Sequence, residues 1–282
     1  MNGTLTIAAL TVREALRRRL VGAFALITVC LVALSAWGFD RLSHSGSLTS
    51  GEQRLSEPQA LIMFMFMFSF VVALSASAMG SPVIGADAES GVLQTIVARP
   101  LRRSEILFGK WLGLATVLAG YAAVVSGLEF GVVRIVSGYA PPDPVLVGVY
   151  LFVEGAALLS LALVLSVRLS PIAAGVIGIA VFGCAWLAGV VGSLGTTFHI
   201  AGLRDIGSIA RYVVPTDGLW HGAIYYLEPR WFITSSVASI GNRAGDPFFA
   251  SSAPSAGYLV FVVCWFAVVL AIGTFGFERK EL

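Results

Sequence analysis

Apolar residues along this chain fall into long runs that contain no charged side chain. These runs cover residues 20–39, 58–86, 111–128, 144–153, 155–167, 169–203 and 247–277. A helix needs about 20 mostly apolar residues to cross the hydrocarbon of a bilayer. The pattern therefore predicts six membrane-spanning helices, near residues 20–38, 59–80, 107–128, 145–167, 171–195 and 256–276.

The residues before the first run have a helical pattern instead. Apolar side chains recur at a spacing of three or four residues at Leu5, Ala8, Val12, Ala15 and Leu16. The charged residues of this stretch lie largely off that stripe. The spacing predicts an N-terminal amphipathic helix over 4–19, which we expect to lie in the inner membrane interface. A cytosolic extension of the first span is the alternative that the pattern leaves open.

Composition supports a membrane protein and argues against several other classes. Hydrophobic residues make up 57% of the 282 residues and charged residues only 12%, whereas soluble domains carry about 25% charged residues. The net charge of +2 is too small an excess of positive charge to bind a polyanion, so we expect no nucleic-acid partner. The cysteines lie inside apolar runs and no phosphate-binding glycine loop is present, so we expect no metal, ATP or other cofactor on this chain. Without a repeat or linker, 1–282 is interpreted as one domain.

The basic residues predict how the chain is oriented. Six crossings place both termini on one side, and that side carries eleven of the 18 basic residues. Four of the other seven lie in one long loop, where charge has less influence on orientation. We therefore expect a multi-pass protein of the cytoplasmic membrane with both termini in the cytoplasm.

The loop between the second and third spans contains a short predicted helix. Asp87 and Glu89 lie where a helix N-terminus favours negative charge. Leu93, Ile96 and Val97 give that helix an apolar face, and Pro100 ends it near residue 98. A helix with an apolar face between two spans is typical of a docking element. An ordinary solvated loop with basic residues near the lipid headgroups is the alternative.

The order of residues in this loop resembles the signature of ABC type 2 exporter permeases. The matching positions are Glu89, Gly91, Leu93, Ala98, Arg99, Pro100, Arg103, Ile106, Leu107, Gly109 and Lys110. The amphipathic N-terminal arm, the six spans, the stretch 214–220 and the short basic tail are also similar to those permeases. Val92 departs from the family pattern, which usually has Thr there, and this weakens a local cap but not the docking face.

The resemblance implies an all-α, six-span permease domain that is itself non-catalytic and works in an ATP-driven exporter. Two separate ATP-binding subunits would hold the ATP and Mg, and a second permease copy, identical or paralogous, would complete the complex. The loop would form the coupling helix that docks on an ATP-binding subunit. Its docking residues would be Asp87, Glu89, Gly91, Leu93, Ile96, Val97, Arg99, Pro100, Arg102 and Arg103. The three arginines would pair with acidic groups or phospholipid headgroups.

Two acidic residues inside predicted spans are candidates for a transport pathway or gate. Glu154 lies about ten residues into the fourth span, where a carboxylate costs a few kcal/mol unless it is paired, protonated or hydrated. Its alternative role is purely structural, paired with a hydroxyl or a tryptophan N–H of a neighbouring span. Glu129 lies towards the outer end of the third span, which predicts a position near the headgroups. An ion-gradient-driven transporter with Glu154 as proton carrier is the alternative function.

Two further patterns predict local structure. Residues 196–254 contain signals for short helices and form either a lid or re-entrant gate, or a surface loop. Their aromatic residues Trp220, Tyr225, Tyr226 and Trp231 suit the outer membrane interface. Met63 and Met67 share one face of the second span and Met65 points away, which favours packing or lipid contact over a metal site.

Overall fold

The computed structural model describes residues 3–44, 50–85, 102–239 and 246–279, which contain helices and no strand. The helices are α1 (Gly3–Arg17), α2 (Arg19–Ser43), α3 (Ser50–Gly80), α4 (Arg103–Val136), α5 (Pro144–Ser166), α6 (Pro171–Thr197), α7 (Ala201–Val213), α8 (Thr216–Leu227), α9 (Arg230–Ser239) and α10 (Ala256–Glu278). Six of them, α2 to α6 and α10, are long and apolar enough to cross a membrane. The six predicted spans and the all-α fold are confirmed, and the chain is a multi-pass membrane protein.

The ends of the spans follow from local residue chemistry. Pro144 and Pro171 each occupy a first helical position, where proline costs no hydrogen bond. The hydroxyl groups of Ser170 and Ser255 accept bonds from the first turns of α6 and α10. At about 1.5 Å per residue, the 34 residues of α4 extend about 50 Å, well beyond a hydrocarbon layer of about 30 Å. One end of α4 therefore projects from the membrane.

The bundle is centred on α3 and α5. Most of the apolar window of α3 and of α5 is buried, whereas α2 and α10 are mostly exposed. Helix α5 packs against α3, α4, α6, α8 and α10. The exposed apolar faces of α2 and α10 suit contact with lipid. We call the end of the bundle that holds α1 and the end of α10 the terminal end, and the opposite end the distal end.

Helix α1 packs along α4 at the terminal end. Arg18 has an extended backbone (φ −73°, ψ 137°), so α1 is separate from α2 and is not an extension of the first span. A Cβ on Gly113 would meet the backbone oxygen of Ala8 and the Cβ of Thr11, which shows how closely the two helices approach. The predicted helix is confirmed. It buries Ala8 and Ala15 of the stripe together with Thr11, whereas Leu5 and Leu16 are exposed.

The segment between α6 and α10 folds back into the distal end of the bundle. Helix α7 packs on α6, and α8 packs against α5, α6 and α3. Trp220 of α8 is 2% exposed and contacts the ring of Phe66, so its predicted place at the membrane interface is wrong. Gly222 allows α8 to approach α5 this closely, because a Cβ at this position would overlap the ring of Tyr150. Trp231, by contrast, is about half exposed, as the interface prediction expects.

Candidate functional site

The predicted coupling helix lies mostly outside the described residues. Asp87, Glu89, Gly91, Leu93, Ile96, Val97, Arg99 and Pro100 all belong to the 86–101 segment, which the structure does not describe. Arg102 and Arg103, which follow it, are described. The structure therefore shows how the two flanks of the segment are held, and these flanks together form what we call the terminal junction.

Arg103 joins the start of α4 to the end of α10. Its guanidinium donates hydrogen bonds to the backbone oxygens of Phe277 (2.9 Å) and Glu278 (3.2 Å). It also lies 5.9 Å from the centre of the Phe277 ring. The last carbonyls of a helix have no partner within it and carry partial negative charge, so a cation stabilises them. Arg103 thus contacts the main chain at the end of α10, while its expected pairing with acidic groups or headgroups stays a prediction.

Arg102 marks where α4 begins. Its backbone N–H donates to the carboxylate of Glu105 at 3.1 Å, which satisfies one unpaired donor at the helix start. Its side chain is exposed. Arg102 therefore keeps the free surface that a docking residue needs, whereas Arg103 is engaged within the chain.

Lys110 holds the other flank of the 86–101 segment. It is 7% exposed, and its Nζ donates to the backbone oxygen of Val83 at 2.8 Å. Val83 lies directly after α3, three residues before the segment begins. A buried ammonium needs such a partner because desolvation otherwise costs several kcal/mol. Lys110 thus connects α4 to the chain that leaves α3.

The carboxylate of Glu154 is enclosed between α5 and α3. It is 3% exposed, and both of its oxygens accept bonds from the Ser69 hydroxyl, at 2.9 and 3.0 Å. This is the hydroxyl pairing that the structural alternative anticipated. The contact accounts for how the carboxylate is tolerated at that depth, while its role in a pathway or gate stays a prediction.

Glu129 is buried rather than placed at the headgroups as the sequence suggested. It is 0% exposed, and the Ser35 hydroxyl of α2 donates to its Oε1 at 2.5 Å. Its Oε2 has no hydrogen-bond partner among the described residues. The prediction considered depth along the helix alone, but α2 covers this face of α4. The pathway role of Glu129 also stays a prediction.

A polar cluster at the distal end was not predicted from the sequence. Arg211 of α7 donates through Nε to the Asp217 carboxylate at 2.7 Å, and this carboxylate is 3% exposed. His221 lies one turn after Asp217 in α8, and its Nδ1 is 2.8 Å from the Asp217 carbonyl. Burial is the main cause that lowers the pKa of His221 below its ordinary value, although the nearby Asp217 carboxylate opposes the shift.

The only sequence signal for this cluster was the stretch 214–220, which contains Asp217 and which the family resemblance includes. Nothing in that stretch indicates that Arg211 is its partner, because the two residues belong to different helices. The pairing depends on the turn between α7 and α8, which brings the ends of the two helices together.

Comparison with known proteins agrees with this architecture. The chain matches the family described as ABC-2 family transporter protein over residues 5–282. No curated protein matches the chain at a significant level. The family match covers α1, all six spans, the terminal junction and the distal cluster. The chain therefore belongs to the ABC-2 family of transporter proteins and is a membrane permease component of an ABC transporter.

Proposed function

We propose that this chain is the permease subunit of an exporter driven by ATP hydrolysis on a separate subunit. The family match over residues 5–282 is the observation that carries the proposal. Two ATP-binding subunits would bind the ATP and Mg, and two permease copies, identical or paralogous, would enclose the route. The chain itself would perform no chemistry, and both termini would lie in the cytoplasm.

The docking element of this proposal is the 86–101 segment. Leu93, Ile96 and Val97 would fill an apolar groove of the ATP-binding subunit, and Glu89 would orient the helix. The exposed side chain of Arg102 would add a charged contact at its end. Because nucleotide binding closes the two ATP-binding subunits outside the membrane, a rigid element has to carry that movement to the spans.

The contacts of Arg103 and Lys110 support a route for this movement into the bundle. A displacement of the docking element would pull directly on the start of α4. Through its bond to the Phe277 carbonyl, Arg103 would move the end of α10 together with α4. Through its bond to the Val83 carbonyl, Lys110 would move the chain that follows α3. Since α3 and α5 form the buried centre, movement at the terminal junction would reach the residues around Glu154. Glu154 and Glu129 are our candidates for the pathway or gate.

The test is a Leu93→Arg variant, co-expressed with a candidate ATP-binding subunit sought among the reading frames next to the permease gene. A charged side chain cannot enter an apolar groove without losing hydration, so we expect association to fall at least about tenfold, or about 1.4 kcal/mol. Co-purification and the ATPase rate in proteoliposomes measure this loss. Leu93→Met is the matched control, because it keeps an apolar side chain of similar volume.

Two results would contradict the proposal. The first is a Leu93→Arg complex that assembles and hydrolyses ATP like the unaltered one. The second is a permease that transports with an ion gradient and needs no ATPase, which would favour the secondary-transport alternative. The folding control is the melting temperature of each purified permease, which we expect to be equal for both variants.

A further inference from the structure

A polar cavity lies between α6, α7 and α8 at the distal end of the bundle. Its volume is about 290 Å³, near the lower limit of about 300 Å³ for pockets that hold small organic ligands. Its polar side chains include Ser193, Thr196, Arg204, Ser208, Arg211 and His221, and Ser251 and Ser252 of the segment before α10 add two more hydroxyls. Hydroxyl groups and two guanidinium groups in one cavity suit a ligand that carries both hydroxyls and negative charge.

Helix α7 has one polar face and one apolar face. Arg204, Ser208 and Arg211 are spaced by four and three residues, so they share the face that lines the cavity. Ile206, Ile209 and Val213 lie on the other face and are exposed. The apolar face suits contact with lipid, whereas the polar face lines the cavity.

The crossing of α6 and α7 fixes the wall of the cavity. Gly192 of α6 and Gly207 of α7 touch through their backbones, and a Cβ on either would overlap the other. This contact sets the distance between the two helices. The side chains of Ser193 and Ser208, next to these glycines, then face a space of fixed width.

Among the residues that the structure describes around the cavity, one cation is available to a ligand. Arg211 is paired with the buried carboxylate of Asp217. Asp246 lies within electrostatic range of His221 but does not line the cavity. Arg204 is exposed and has no ion pair with another described residue. Its guanidinium can therefore form a bidentate contact with a carboxylate or phosphate group.

His221 adds an acceptor to the donors of the arginines. Its Nδ1 faces the carbonyl of Asp217, which can only accept a hydrogen bond, so Nδ1 carries the proton. In the neutral ring Nε2 is then an acceptor, and it can bind a ligand hydroxyl. The cavity thus offers charged donors, an acceptor and several hydroxyls to one ligand.

From this arrangement we propose that the cavity binds a small organic oxyanion, a phosphate monoester or carboxylate that also carries hydroxyl groups. Arg204 contacts the anionic group directly, and Arg211 adds donors that Asp217 leaves unused. The same chemistry occurs in a soluble metabolite and in the headgroup of an anionic lipid. The site is complete within one chain, so binding does not depend on the ATP-driven function proposed above.

Calorimetric titration of the purified permease tests this proposal. The protein is held in nanodiscs of phosphatidylcholine without any ATP-binding subunit, and glycerol 1-phosphate is the probe. We expect saturable binding, at least about tenfold weaker in Arg204→Gln and in Ser208→Phe. The first variant removes the available cation, and the second fills the cavity without changing charge. Arg230→Gln and Ile209→Phe are the matched controls, since both residues lie outside the cavity, and we expect wild-type affinity for each.

Two comparisons complete the experiment. Glycerol alone should bind at least about tenfold more weakly than glycerol 1-phosphate, because it lacks the anionic group. If phosphatidylglycerol in the nanodisc abolishes binding of the probe, the site takes the lipid headgroup; if affinity is unchanged, it takes the soluble anion. The proposal is overturned if the probe does not bind, if glycerol binds equally well, or if Arg204→Gln retains full affinity. None of these results would bear on docking of an ATP-binding subunit.

Discussion

The two ends of the bundle hold their cationic groups in different ways. At the terminal end, Arg103 and Lys110 donate to main-chain carbonyls of α10 and of the chain after α3. At the distal end, Arg211 is held by the carboxylate of Asp217, and Arg204 faces a cavity. The geometry of the described residues thus places main-chain carbonyls beside the cations of the terminal end, and a carboxylate and a cavity beside those of the distal end.

This difference follows from the chemistry of the partners. A backbone carbonyl does not titrate, and it moves only when its helix moves. A carboxylate side chain can rotate, and an anionic ligand can compete for the cation it holds. The terminal end is thus suited to keep helices in register, whereas the distal end is suited to admit a ligand or to rearrange.

The largest effect should come from separating α1 from α4 at the terminal end. In Gly113→Leu the new side chain would overlap the backbone of Ala8, so α1 has to move away from α4. We expect a loss of about 3 kcal/mol, the upper part of the range for overpacked contacts. Thermal unfolding of the detergent-solubilised permease measures the loss as a lower melting temperature.

Gly120→Leu is the matched control for this prediction. Gly120 lies on the same helix, but no atom of another described element lies within 4 Å of the position where its Cβ would be. Leucine is the better helix former by roughly 0.5–1 kcal/mol, so this variant should be neutral or slightly stabilising. Equal melting temperatures for the two leucine variants would show that the packing of α1 on α4 contributes little.

Much of this fold was predictable, because hydropathy and helical periodicity act locally. The six spans follow from charge-free runs, and each observed span contains most of the predicted one. The methionines of the second span behave as their spacing predicted. Met63 and Met67 are about half exposed on one face of α3, and Met65 is fully buried on the other.

The candidate sites were less predictable, because they depend on which helices become neighbours. The sequence shows that Glu129 lies near the end of a span, but not that α2 covers it with Ser35. It shows that Trp220 is amphipathic, but not that the small Gly222 lets α8 approach Tyr150 so closely that Trp220 is buried. Arg103 has the same charge as Arg102, and the sequence does not show that Arg103 contacts the end of α10.

That distinction leads to a second, smaller prediction at the terminal end. Arg103→Gln removes the bonds to the carbonyls of Phe277 and Glu278, and we expect a loss of about 1.5 kcal/mol, as for hydrogen bonds of charged groups. Arg102→Gln removes the same charge from an exposed position and should leave the melting temperature unchanged. Equal losses in the two variants would mean that net charge matters here rather than the contact with α10.

The smallest effect concerns pH and belongs to the distal end. Burial lowers the pKa of His221 in the folded chain, whereas an unfolded chain has the ordinary value of about 6.5. As pH falls below that value, the unfolded chain takes up a proton that the folded chain does not, so stability decreases with acidification. Asp217 and Asp246 favour the protonated ring, and Arg211 opposes it together with burial.

His221→Gln should therefore remove part of the acid sensitivity. Over the range from pH 7 to pH 5.5, we expect the free energy of unfolding to fall by up to about 1 kcal/mol less in the variant. Melting temperatures measured across that range give the difference between the variant and the unaltered permease. His44→Gln is the control, because His44 is exposed at the end of α2. A slope that stays the same in His221→Gln would show that the ring is solvated in the folded chain.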